Sequence, residues 1–483
     1  SMIWTRLSSA TYSLNISSEP SVEPSSTQMI SISFNVCPTT LSIHCFRYGS
    51  TLYTGMITDT FTIITLLVTS YSICLLYLFS LISSIHFMFQ SLDIKTFNLY
   101  TSTHNNLFTK EWSFRMKATN LSKRILYFDY LEVIAIFLVV SIHRPWFDFS
   151  YSASILSILC SICVPLFFMV NGSLLFHKTF DLKKHIHKII AMFIALEGWR
   201  ILYFLACLAT WQVHLDTFSK LDLWNYLCGS VNLDHIPTAH MWFTNTLLFL
   251  YILFPLLKTC WDYNKAVLYF FTIICGCFFQ ISEEINVLLA QLTALLHKNS
   301  IFTLDGFRAT LSPLSNNGHF LIYFVLGAIL HDLFYIRSDK PFNEKKIRPY
   351  SIFCIVFGLL WNFLAKYLQC GTLKWTGESF KNGYLKIGTV FMCVGIFVLF
   401  STLNFRRIPS KLNNAISFVS KRTLDIYYIH MFFAAIALDY IYPKLQIANV
   451  FINTVRTLLI MAIALIIGQL FRKLPILKHL LNA

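Results

Sequence analysis

Two side chains eleven residues apart frame the first candidate chemistry in this chain. They are Glu132 and His143, in the stretch YFDYLEVIAIFLVVSIHR at 127–144. At ~100° per residue, eleven steps make three turns plus ~20°, so both point to one face of a helix, ~16 Å apart along its axis. That is too far for a direct hydrogen bond. Asp129 lies near the same face. Ionisable groups are costly inside a membrane helix and usually face a bundle interior or a wet cavity; the plainer account places all three at the two interfaces, as helix-end residues. A neutral imidazole such as that of His143 can take a proton from a hydroxyl as the hydroxyl attacks a thioester or acyl group. A transporter with a histidine relay would present the same residue.

Further polar residues recur in apolar runs. His240, Trp242 and Asn245 stand in HMWFTNTLLFLYILFP, and His240 is expected at the same membrane depth as His143, so that the two could share one cavity. The plainer account is an interfacial His beside an aromatic belt. Glu197 and Arg200, in ALEGWRILY, are three apart on a helix and can pair, either as a structural ion pair or as a clamp on a substrate or phosphate. In PLFFMVNGSLLF, Asn171 and Ser173 suit hydrogen bonding between helices and Gly172 suits close packing. TLDIYYIHMFF carries Asp425, Tyr427, Tyr428 and His430, expected near the cytoplasmic side. No G-x-S-x-G elbow, zinc motif, P-loop or dinucleotide fingerprint appears. Cys160 and Cys163 form a CxxC inside an apolar run, with no second pair and no His at ligand spacing, and read as small core residues; no metal is implied.

The elements that position these residues follow from composition. The chain has 483 residues, 56% hydrophobic and 13% charged, with a mean hydropathy of +0.60. That excludes an ordinary soluble domain. Repeated apolar runs of about 18 to 25 residues point to a polytopic helical membrane protein, and a β-barrel would show short alternating segments instead. The net charge of +15 sits in short loops between the runs, where it sets topology; it is no nucleic-acid signature. The fold class is therefore all-α, a membrane helix bundle of about ten core spans at 127–144, 153–176, 188–210, 241–258, 266–281, 319–336, 349–368, 385–403, 424–442 and 449–471. Lys and Arg cluster before the first span, after the second, sixth and eighth, and at the chain end, all on one side for this even count. The rule for basic loops then places Met116 and the C-terminus in the cytoplasm. Residues 1–115 read as an N-terminal extension, Ser- and Thr-rich at first, with one further candidate span at 61–89; 116–483 form the integral membrane domain.

Five of these stretches, FDYLEVIAIFLVVSIH, PLFFMVNGSLLF, HMWFTNTLLFLYILFP, FLIYFVLGAIL and TLDIYYIHMFF, occur in an order that resembles the acyltransferase-3 family, in particular the membrane O-acetyltransferases of bacterial surface polysaccharides. The resemblance covers roughly 120–475. It implies ten core spans, acetyl-CoA as donor, the hydroxyl of a surface or lipid-linked glycan as acceptor, and a bacterial cytoplasmic membrane. It also implies His143 as general base, from a hallmark Arg and His with ten residues between them. The Arg position falls on Glu132, a reversal of charge. His240 matches the His of a His-Leu-Trp-Phe stretch, with Met241 in place of Leu, and His430 closes a Tyr-x-x-His segment through Tyr427. On this reading His240, Trp242 and Asn245 line the acceptor side, Glu197 and Arg200 orient groups inside the bundle, and Asp129, Glu132, Tyr427 and His430 bind or orient substrate or donor. The rivals are a transporter or exporter on the same scaffold, expected to show pseudo-symmetric broken helices, and a family member that has lost catalysis.

Overall fold

The computed structural model describes residues 124–209, 218–229, 236–296, 303–306, 314, 318–336, 344–377, 383–475 and 477–481. The candidate span at 61–89 lies outside them. Every regular element among the described residues is helical. In chain order these are α1 (Leu126–Ile142), α2 (Tyr151–Phe176, with a 3-10 turn at Cys160–Ile162) and α3 (Leu182–Ala209). There follow α4 (Lys220–Gly229), α5 (Trp242–Tyr263), α6 (Lys265–Ala294) and α7 (His319–Ile336). The rest are α8 (Glu344–Cys370), α9 (Ile387–Ser401), α10 (Ser410–Ser420), α11 (Thr423–Leu445), α12 (Val450–Phe471) and α13 (Leu477–Leu481).

Eight of these are long and apolar enough to cross a membrane: α2, α3, α5, α6, α7, α8, α11 and α12. The chain is thus a multi-pass membrane protein. The two remaining expected spans are α1 and α9, at 17 and 15 residues. Their shortness has a reason. Both are apolar on nearly all sides, the pattern of a helix enclosed by others, and α1 packs against α2, α9, α10, α11 and α12. A helix so enclosed need not match the full hydrocarbon thickness.

Successive helices run up and down, and the side-chain bonds sort their ends. At one end Tyr127 of α1 meets His331 of α7, His177 packs its ring against His331 at 4.9 Å, Lys265 pairs with Asp332, and Arg472 grips Asp425 at 2.6 Å. At the other end Trp375 donates its backbone N–H to Ser150 at 3.1 Å and Lys366 donates to Ser154 at 2.6 Å. Outside the bundle, α4 opens on a reciprocal cap between Ser219 and Asp222, whose donors hold the Asp222 carboxyl below its ordinary range.

The closest helix crossing is between α2 and α7. A side chain at Gly172 would run into the Phe324 carbonyl, and one at Gly327 into the Met169 carbonyl. Each glycine thus lets the other helix's backbone in, as small residues do where lipid supplies no hydrophobic drive between helices. Asn171 and Ser173 serve packing too: their side chains donate to the Phe167 and Met169 carbonyls within α2. Gly172→Val is expected to force the helices apart and cost several kcal/mol, since even modest overpacking costs about 1–3 kcal/mol. The check is the monodisperse fraction and thermal midpoint of the detergent-purified protein, both of which should fall sharply.

Candidate active site

The last turn of α1 delivers His143 to a bend. His143 itself has extended backbone (φ −78, ψ 116), and Arg144 follows with φ 49, a left-handed conformation that a residue with a Cβ adopts at a cost. A helix end leaves its final carbonyls without partners. Here α12 supplies them. Arg456 donates to the carbonyls of Arg144 at 2.6 Å and of Val140 and His143 at 3.2 Å. Asn453 donates to the Ser141 carbonyl at 3.1 Å and accepts from the Trp146 N–H at 3.0 Å. A buried cation at a helix C-terminus also complements the helix dipole. Arg456 is 4% exposed, so this fastening is made inside the protein.

Three imidazoles converge at that bend. The His143 ring lies 5.0 Å from that of His430 and 6.2 Å from that of His240, and the His240 and His430 rings are 5.2 Å apart, all edge-to-face. The hydrogen bonds fix their chemistry. His143 Nδ1 faces the Val139 carbonyl at 2.6 Å, His240 Nδ1 the Pro237 carbonyl at 3.1 Å, and His430 Nδ1 the Tyr427 carbonyl at 2.7 Å. A carbonyl only accepts, so each Nδ1 carries the proton and each neutral ring presents its Nε2 lone pair. The Nε2 atoms of His240 and His430 are buried and lack a hydrogen-bond partner among the described residues. Buried polar atoms rarely stay so without a function or a missing ligand. Among the described residues no group of three or more His, Cys, Asp or Glu is arranged to hold a metal.

The surrounding helices hold these rings in place. His240 sits in a 3-10 turn, Ala239–Met241, that leads into α5, and its carbonyl accepts from the Tyr427 hydroxyl at 2.8 Å. Tyr203 of α3 packs its ring 5.7 Å from His240. Its hydroxyl donates to the Tyr428 carbonyl at 2.8 Å and accepts from the Phe432 N–H, bridging α3 to α11. A pocket opens beside His143 and His240, walled also by Trp242 and Tyr427.

The centre lies inside the bundle, away from both ends. His430 is seven residues past the start of α11 and Arg456 is six past the start of α12, which at ~1.5 Å per residue puts the site ~10 Å in from opposite ends. His143 and His430, expected toward opposite faces, thus share one cluster, with ring centroids 5.0 Å apart. About one and a half turns of α11 separate His430 from Asp425, which pairs with Arg472 at the end.

The other residues singled out from the sequence fall elsewhere. Asp129 accepts from Arg124 at 2.7 Å and from Ser420 at 3.0 Å, and Glu132 reaches the same Ser420 hydroxyl; both carboxylates fasten α10 to the first turns of α1. Arg200 lies 3.8 Å from Glu197, but its guanidinium donates to the Tyr226 carbonyl and lies over the Tyr226 ring at 4.6 Å, tying α4 to α3 instead of facing the pocket. Asn245, half-buried one turn beyond Trp242, is not among the pocket's lining residues. Sequence reasoning missed Arg456, Asn453, Tyr203 and Tyr384. Arg456 had a signal, a lone cation inside the apolar run 449–471; the two tyrosines had none, since aromatic residues fill most of these helices.

The fold and this histidine centre define a polytopic helical membrane protein with a basic site buried in its bundle. The family model of the acyltransferase-3 domain matches residues 125–473, and the chain belongs to that family of membrane acyltransferases. No curated protein and no solved structure matches it.

Proposed function

We propose that this protein transfers an acetyl group from acetyl-CoA to a hydroxyl of a cell-surface or lipid-linked glycan, with His143 as general base. The observation that carries the reading is the cluster of three imidazoles whose Nδ1 atoms face backbone carbonyls, leaving Nε2 for the reaction. In the step proposed, His143 Nε2 takes the hydroxyl proton as the oxygen attacks the thioester carbonyl. The tetrahedral adduct then collapses, the C–S bond breaks, and the imidazolium returns its proton to the leaving thiolate. Trp242 and Tyr427 stand beside the two pocket imidazoles. Catalysis within the bundle suits a donor and an acceptor that arrive from opposite faces, each travelling ~10 Å inward. We place the protein in the cytoplasmic membrane, with Met116 and the C-terminus in the cytoplasm, on the distribution of basic loops.

The test is transfer of labelled acetyl from acetyl-CoA to endogenous glycan in membranes carrying the protein, against membranes without it. Label in the glycan fraction supports the reading. Equal label in both membranes, over several donors and acceptors, overturns it.

A further inference from the structure

The pocket beside His143 has walls of a different character from its mouth. Val139 of α1, Val164 and Phe167 of α2, Phe243 of α5 and the Tyr384 ring close around it. Phe167 and Phe243 pack ring to ring at 5.8 Å. The four helix-borne residues are each at most 8% exposed. The polar groups left to the space are the imidazoles of His143 and His240 and the indole of Trp242. The Tyr427 hydroxyl is spent on the His240 carbonyl, and the Tyr384 hydroxyl is turned to the Cys163 sulfur at 3.7 Å. The enclosed space is about 20 Å³, little more than a single water needs, so only a very short chain fits it.

A sugar ring placed in this space would bury more hydroxyls than the two imidazoles and the indole can pair, and each group left over is costly. A methyl-terminated acyl chain loses no hydrogen bond there and gains contact with the two rings. The carbonyl of such a chain would lie at the mouth, within reach of the imidazoles, while its carbons fill the apolar part.

We infer that this pocket is an acyl slot, that Phe167 and Phe243 form its stop, and that this stop restricts the protein to short acyl groups. The inference rests on the acyl-transfer reading and adds the residues that choose the acyl chain. Added methylenes are worth ~0.8 kcal/mol apiece when they gain an apolar wall, so two more carbons that find room change kcat/KM by about tenfold.

The experiment compares acetyl-, butyryl- and hexanoyl-CoA as donors for wild type, Phe167→Ala and Phe243→Ala, with a common acceptor. Wild type should favour acetyl over hexanoyl by at least tenfold, and the alanine variants should raise the hexanoyl-to-acetyl ratio of kcat/KM by about tenfold or more. A filling variant, Val164→Phe, guards against loss of folding in the others: it should depress butyryl transfer more than acetyl transfer. Donor ratios that stay at the wild-type value in every variant that still transfers acetyl would sink the slot and leave the acyl-transfer reading standing. Absence of transfer by wild type from all three donors would remove that reading, and the slot with it. Variants lost to misfolding, together with a Val164→Phe ratio equal to wild type, also count against the slot.

Discussion

Exchanging His143 for alanine is expected to lower acyl transfer by 10²–10⁴-fold, the usual contribution of a positioned general base. The loss should appear in kcat with little change in the amount of protein in the membrane. The ring is not buttressing a core: its backbone is held by Arg456 through carbonyls that alanine retains. The three histidines should not rank equally. His143 and His240 line the pocket, whereas His430 stands behind them. His430→Phe, which keeps an aromatic ring in the cluster, should therefore cost about tenfold or less, or at most about 1.4 kcal/mol of barrier. Measured rates of labelled transfer for the two single variants decide this. Equal losses at His143 and His430 would mean that the cluster works as one unit; full activity in His143→Ala would remove the base assignment altogether.

The helices were legible because apolar runs of membrane length admit little else. The expected spans at 153–176 and 449–471 correspond to α2 and α12 within two residues at their starts and at none at their ends. The shortness of α1 and α9 was not legible. It follows from enclosure by neighbours, which no run of residues reports about itself. The site was legible in its types and only partly in its positions. His143 and His240 were expected at one depth, and the structure brings them to one pocket. His430 reads as near the far face when its helix is measured from its basic flank, whereas its closeness to His143, 5.0 Å between rings, is a tertiary fact. Glu132 shows the converse limit. Its place on one helix face with His143 follows from spacing alone, yet what it does depends on Ser420, 288 residues further on. In that setting Glu132 joins a second carboxylate to Asp129 in the knot that fastens α10, three turns away from the imidazoles.

Arg456→Met should reduce turnover at least a hundredfold while changing the donor KM by less than about threefold. The guanidinium is the donor for three carbonyls at the end of α1, and a carbonyl left buried without a partner costs ~1–3 kcal/mol. The structure can escape that cost only by letting the bend at His143 and Arg144 relax. Arg144, in its left-handed conformation, is where relaxation would begin, and even ~1 Å of drift at the adjacent imidazole costs catalysis about a hundredfold. The pocket walls on α2 and α5 would be left in place, so kcat and KM should part company. A merely structural role for Arg456 predicts a different outcome: less protein in the membrane and an unchanged kcat for the protein that remains. Arg456→Lys sharpens the distinction. Lysine keeps the charge and three donors but lacks the planar fork that spans separate carbonyls, so it should recover part of the lost turnover, to within about tenfold of wild type. If Arg456→Lys and Arg456→Met were equally inactive, the buried charge would be irrelevant and the fork geometry alone would hold His143. If both were as active as wild type, α12 would not be what positions the base.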